Sequence, residues 1–168
     1  MTIRTSFDKD KAKAFTQKAL ADTSGMATTV MAHIGDQLGL FKNLAEYGPA
    51  TSAELASRAN INERYAREWL SAMTCAGYLE YDPSSKRFTL PPEHKAVLAQ
   101  ETGRLFFGGI HQMLIGMMEP LEQVIHAFQH GGGVPQSAYA DHVWHGLERD
   151  SLVYVENYLV QQWSAAIP

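Results

Sequence analysis

Cysteine is nearly absent. Cys75 stands alone in 168 residues, which excludes an internal disulfide and suits a reducing compartment. It falls in a helical segment, where a small buried hydrophobe is expected rather than a reactive thiol. Excess charge of one sign is missing too. Lys and Arg number 14 against 18 Asp and Glu, a formal net charge of -4. No general attraction to nucleic acid or an anionic membrane follows from that balance. Long apolar runs are lacking. LFFGGIHQMLIGMM comes nearest to the ~18 residues of a membrane span, but glycines, His111 and Gln112 interrupt it. The opening MTIRTSFDKDKAKAF has no apolar signal core. A cytoplasmic protein with no membrane segment is the expectation.

Two further absences bear on chemistry. The triple glycine Gly131-Gly132-Gly133 follows helical Ala127-Phe128-Gln129-His130 and precedes Val134-Pro135. A phosphate cradle follows a strand and opens a helix, so this is a helix stop and a loop instead. Histidines gather late in the chain, as His126 with His130 and His142 with His145. No cysteine and no obvious third ligand accompanies them, so no metal site is expected.

What is present is a winged-helix pattern from Thr51 to Leu90. Thr51 with Glu54 forms a capping box for a helix to about Ala59. Asn62 caps a second helix, Glu63 to about Ala76, which Gly77 ends. Tyr78 to Tyr81 and Arg87 to Leu90 read as strands joined by the turn Asp82-Pro83-Ser84-Ser85. On the second helix Tyr65, Trp69, Leu70 and Met73 are expected to face inward. Glu63 with Arg67 and Arg64 with Glu68 are spaced to pair at i,i+4. Basic residues (Arg58, Arg64, Arg67, Lys86, Arg87) equal acidic ones (Glu54, Glu63, Glu68, Glu80, Asp82), so little counterion release is available for DNA. Only Lys86-Arg87 at the wing tip looks ready for phosphate. Nucleic acid is therefore not the expected partner.

Elsewhere the chain reads as helix. One helix is expected from Asp8 to about Ala21, with Ser24-Gly25 as a break. Another carries Met26, Val30, Ile34, Leu38 and Phe41 on one face. Gly35 and Gly39 weaken it or admit a close neighbour. After Pro91-Pro92 comes a short helix to about Gln100. Phe106 to Phe128 forms a broad apolar stripe split near Pro120, with core as its expected place. The alternative is a pocket for a bulky substrate, lined by adaptable methionines such as Met113 and Met117. Ser137 and Tyr139 offer hydroxyls in the following loop. A last helix is expected from Asp150 to Ala165, with Leu152, Val155, Leu159 and Trp163 on one face. The fold class is mainly α, a winged helix-turn-helix with a small β-hairpin wing plus packing helices. The expected division is residues 1–100 and 101–168. An apolar surplus beyond what one winged helix covers predicts a homodimer.

The run from HIGDQLGLF to SSKRFTL resembles the amino-terminal winged-helix domain of bacterial class I S-adenosylmethionine-dependent methyltransferases of the O-methyltransferase kind. GGGVPQSAY and the helix after it resemble that family's segment before the catalytic domain. The resemblance implies dimerisation and the roofing of a small-molecule site, with His111, Met113, Met117, Ser137 and Tyr139 as substrate-lining residues. It implies S-adenosylmethionine as cofactor of a longer parent. The D-x-G-x-G-x-G loop that would hold it is absent here. No catalytic or cofactor-binding residue is therefore assigned, and the chain alone is expected to be inactive. The rival reading is a winged helix-turn-helix regulator that binds DNA or senses a ligand with its Phe106–Phe128 stripe.

Overall fold

The computed structural model describes residues 7–166. Asp8 caps α1 (Lys9–Gln37), its carboxylate accepting from the backbone N–H groups of Asp10 and Lys11. The helix runs unbroken through Ser24-Gly25, where the residues predicted a stop. A single glycine costs a helix only about 1 kcal/mol, and the packed end of α1 outweighs it. There Ala32, His33 and Gly35 are buried. The helix ends before Gly39, and α2 (Leu40–Tyr47) follows.

Thr51 and Glu54 form the capping box of α3 (Ser52–Ala59). The Thr51 N–H donates to Glu54 Oε2 at 2.8 Å, and the Glu54 N–H donates back to Thr51 Oγ1 at 3.3 Å. Asn62 caps α4 (Glu63–Cys75), accepting from the Arg64 N–H at 3.0 Å. Two short strands make the wing. β1 (Glu80–Asp82) and β2 (Arg87–Thr89) run antiparallel with Tyr81 opposite Phe88. Ala50 adds a further antiparallel rung by bridging to Phe88. Asp82 ties the turn. It accepts from the hydroxyls of Ser84 and Ser85, and those bonds hold its carboxyl down at about 2.

These elements close one core. Phe41, Leu55, Trp69, Leu70 and Met73 lie at its centre, with Phe41 edge-on to Trp69 at 5.0 Å. The Trp69 indole lies over Gly35, where a Cβ would meet the ring at 2.3 Å. Its Nε1–H donates to the Met31 carbonyl at 2.8 Å. The close approach weighed for Gly35 is thus its role. Burial of each such side chain contributes roughly 1.5–3 kcal/mol.

Beyond α5 (Pro92–Leu98) lie α6 (Gly108–Met117) and α7 (Leu121–His130), separated at Pro120. A loop with one 3-10 turn, Gln136–Ala138, leads to α8 (Asp141–Tyr154). The chain then continues as a wider helix, Val155–Trp163. The last helix therefore begins nine residues before the expected Asp150. Its early part is held by α6, backbone against backbone. A Cβ on Gly146 would fall 2.6 Å from the Met113 nitrogen and 2.7 Å from the Gly109 carbonyl oxygen. Gly116 makes the same kind of contact with Val143. Among the described residues no helix is long and apolar enough to cross a membrane.

Candidate functional site

Arg149, on α8, is the hub of the polar interior. Its guanidinium grips Asp36 of α1 through two bonds, 2.6 and 2.9 Å. It also donates to Glu101 at 2.5 Å and to Gln112 of α6 at 2.7 Å. Phe106 lies against its face, 5.2 Å from the ring centre. The Asp36 side chain is only 4% exposed, so the pair is largely dry. Burial opposes the charge on Arg149, but the two carboxylates outweigh it and raise its pKa. For Glu101, burial pulls upward while hydrogen bonds from Arg149 and Lys42 pull further down, leaving the carboxyl below its ordinary value. Four segments distant in sequence meet at this one fork, and no local motif announced it.

Two buried imidazoles lie nearby. His33 keeps its Nδ1 enclosed without a hydrogen-bond partner among the described residues. His111 on α6 is 4% exposed and stands edge-on to Phe107 at 5.1 Å. Burial lowers the pKa of both below 6.5, with Asp36 opposing. His111 faces a hollow of about 220 Å³, walled by Ala76, Tyr78, Val97, Leu98 and Phe107.

The other expected substrate-lining residues lie elsewhere. Met113 packs its backbone against Gly146, and Met117 is exposed near the end of α6. Ser137 is exposed in the 3-10 turn. Tyr139 lines a second hollow with Val124, Ala127, Phe128, Gly133 and Val134. That hollow shares no lining residue with the one at His111. All three loop glycines hold positive φ, 77°, 89° and 71°, a geometry other residues rarely adopt. His126 and His130 are exposed on α7 with rings 4.5 Å apart. Among the described residues no group of three His, Cys, Asp or Glu could hold a metal.

The Phe106–Phe128 stripe is not core along most of its length. Phe106 is buried, but Leu114, Met117, Leu121 and Ile125 are exposed, and Phe128 is 88% exposed. On the winged helix, Tyr65 points outward at 72% exposure rather than inward. Cys75 is exposed as well, because the end of α4 turns it toward the wing side rather than the core. Glu63 and Arg67 meet at 4.0 Å, while Arg64 and Glu68 form no ion pair. Arg87 is occupied, donating to Glu54 at 2.6 Å and to the Pro49 carbonyl at 2.8 Å. Of the wing-tip pair only Lys86 remains without an acidic partner among the described residues.

The helix-turn-helix, the hairpin wing and the Ala50 rung together define the domain. Residues 26–100 match the family model of the Rv2258c-like winged HTH domain. This part of the chain is similar to that winged-helix domain. Solved structures extend the likeness. The mitomycin 7-O-methyltransferase MmcR aligns with TM-score 0.64 and 16% identity over 87% of this chain and 46% of its own. The S-adenosylmethionine-dependent methyltransferase SibL, in its apo form, gives 0.59 and 17% over 88% and 48%. PigF with SAH gives 0.57 and 23% over 67% and 32%. The chain thus spans less than half the length of each, and it has the fold of the winged-helix region of such methyltransferases. No curated protein matches it.

Proposed function

We propose that this chain is the dimerisation and substrate-covering region of an S-adenosylmethionine-dependent methyltransferase that acts on a small molecule. One observation carries the reading. The winged helix closes its own core, whereas α7 has no buried residue and presents Leu121, Ile125 and Phe128 outward. A contiguous apolar face of that kind marks an interface. In this proposal residues 1–100 supply the platform and 101–168 the helical cover. A second copy and a substrate then share the apolar surface. The exposed thiol of Cys75 suits a reducing, cytoplasmic setting.

The cofactor does not fit the described residues. They hold two antiparallel strands of a wing and no strand followed by a glycine-rich turn into a helix. The three-glycine loop leaves a helix instead of opening one. No step of methyl transfer is therefore assigned to these side chains. Their part is to exclude water and orient substrate, which raises the rate of a displacement reaction. DNA is a poor partner for this winged helix, with Arg87 already held by Glu54.

Kinetics of the longer parent enzyme test the covering role. Tyr139→Ala, which opens the hollow beside α7, is expected to lower turnover about tenfold or more while cofactor affinity stays unchanged. Unchanged turnover, or a loss confined to cofactor binding, contradicts it.

A further inference from the structure

α7 is weakly anchored to the rest of the chain. None of its residues is buried. Pro120 separates it from α6, and three glycines at positive φ follow it. At 10 residues it is too short to hold its helix in water unaided. On its solvent side it carries a pair of imidazoles. His126 and His130 are both exposed, with ring centres 4.5 Å apart and planes inclined at 51°.

That arrangement suits chelation. Residues at i and i+4 share one helix face. Two imidazoles holding one ion at about 2.0–2.1 Å per nitrogen put their ring centres roughly 4.5–5 Å apart, for bond angles between a right angle and the tetrahedral value. The electrostatics favour a cation. Both histidines lie in the last turns of α7, at the negative end of the helix dipole. From Glu119 to Glu148 there is no Lys or Arg, while Glu119, Glu122, Asp141 and Glu148 are all acidic. Glu122 and His126 line the same hollow of about 400 Å³, so a carboxylate is at hand for a metal-bound water. Among the described residues no third side chain completes the set. That limits the affinity without preventing chelation, and an ion held here keeps water on its remaining positions. Imidazole ligands select borderline ions such as copper(II), nickel(II) and zinc(II) over magnesium and calcium.

We propose that His126 and His130 form a surface site for one borderline divalent transition-metal ion per chain, and that the chelate clamps the last turn of α7. The two ligands stand one helical turn apart, so an ion bound to both resists unwinding of the backbone between them. The site is complete within one chain. It does not depend on the covering role proposed for Tyr139.

Calorimetric titration of the untagged 168-residue chain with copper(II), zinc(II) and magnesium at neutral pH tests it. Copper(II) is expected to bind with Kd of about 100 µM or tighter. Zinc(II) should bind more weakly and magnesium not at all. His130→Ala should weaken copper(II) at least about tenfold, whereas His145→Ala should leave it unchanged. An NMR titration of the unaltered chain reads the same contact without a variant. Substoichiometric copper(II) should broaden the imidazole resonances of His126 and His130 before those of His142 and His145. Saturating zinc(II) should slow amide exchange in α7 of the unaltered chain and not in His130→Ala. Unchanged copper(II) affinity in His130→Ala, earlier broadening at another histidine, or α7 exchange unmoved by zinc(II) each overturns the proposal.

Discussion

The winged helix and the helices after it solve the packing problem differently. From Leu40 to Leu98 the chain buries large side chains in one centre, with Trp69 on Gly35 and Phe41 on Trp69. From Gly108 onward, α6 and α8 meet through glycines, so few large side chains lie between them. Their apolar residues stay outside, among them Leu114, Met117, Leu147 and Leu152, as do Leu159 and Trp163 on the wider helix that follows. Close backbone packing lets this region hold its shape on few buried side chains. The apolar faces remain available for another body. In the proposed function the first region serves as a platform, and the second is covered by a partner.

Arg149 joins the two regions, so its loss should be the largest single effect. Arg149→Met leaves the Asp36 carboxyl, 4% exposed, with no cation opposite. A stability loss of about 3–5 kcal/mol is expected in denaturant unfolding. A loss under about 1 kcal/mol would place the junction elsewhere. Gly146→Leu tests the later region alone. Its side chain has no room beside Met113 and the Gly109 carbonyl. About 3 kcal/mol should be lost, with the near-ultraviolet signal of Trp69 retained if the winged helix stands by itself. Loss of both together would show one cooperative unit.

Acid should weaken the junction next. Burial lowers the pKa of His33 and His111 in the folded chain from 6.5. Unfolding frees them to take up protons below that value. Their contribution is therefore full above about pH 6.5 and is lost as pH falls toward the lowered values. A His33→Leu, His111→Phe double variant should flatten this part of the stability profile. An unchanged slope would show that other groups carry it.

Local signals carried the winged helix and failed further along. The Thr51–Glu54 box and the Asn62 cap are satisfied within three residues, so the residue pattern shows them directly. The hairpin was legible for the same reason, with Asp82 bonding its own turn. Ser24-Gly25 misled because helix continuity there depends on packing ten residues later. The start of the last helix at Asp141 was not legible because its close contact with α6 is made at Gly146, which hydrophobic periodicity does not register. Asp36 and Arg149 lie 113 positions apart, beyond any spacing argument. Of the candidate substrate-lining residues, His111 lines one hollow. Tyr139 lines another, because the loop glycines carry it back along α7.

The open face of α6 to α8 is the centre of this account, and the molar mass in solution tests it most directly. Light scattering of the chain at tens of micromolar should give twice the monomer mass of 18.6 kDa. Ile125→Glu with Phe128→Glu should return it to the monomer while the Trp69 environment stays intact. A monomer mass for the unaltered chain at that concentration would contradict the proposal that a second copy covers this face.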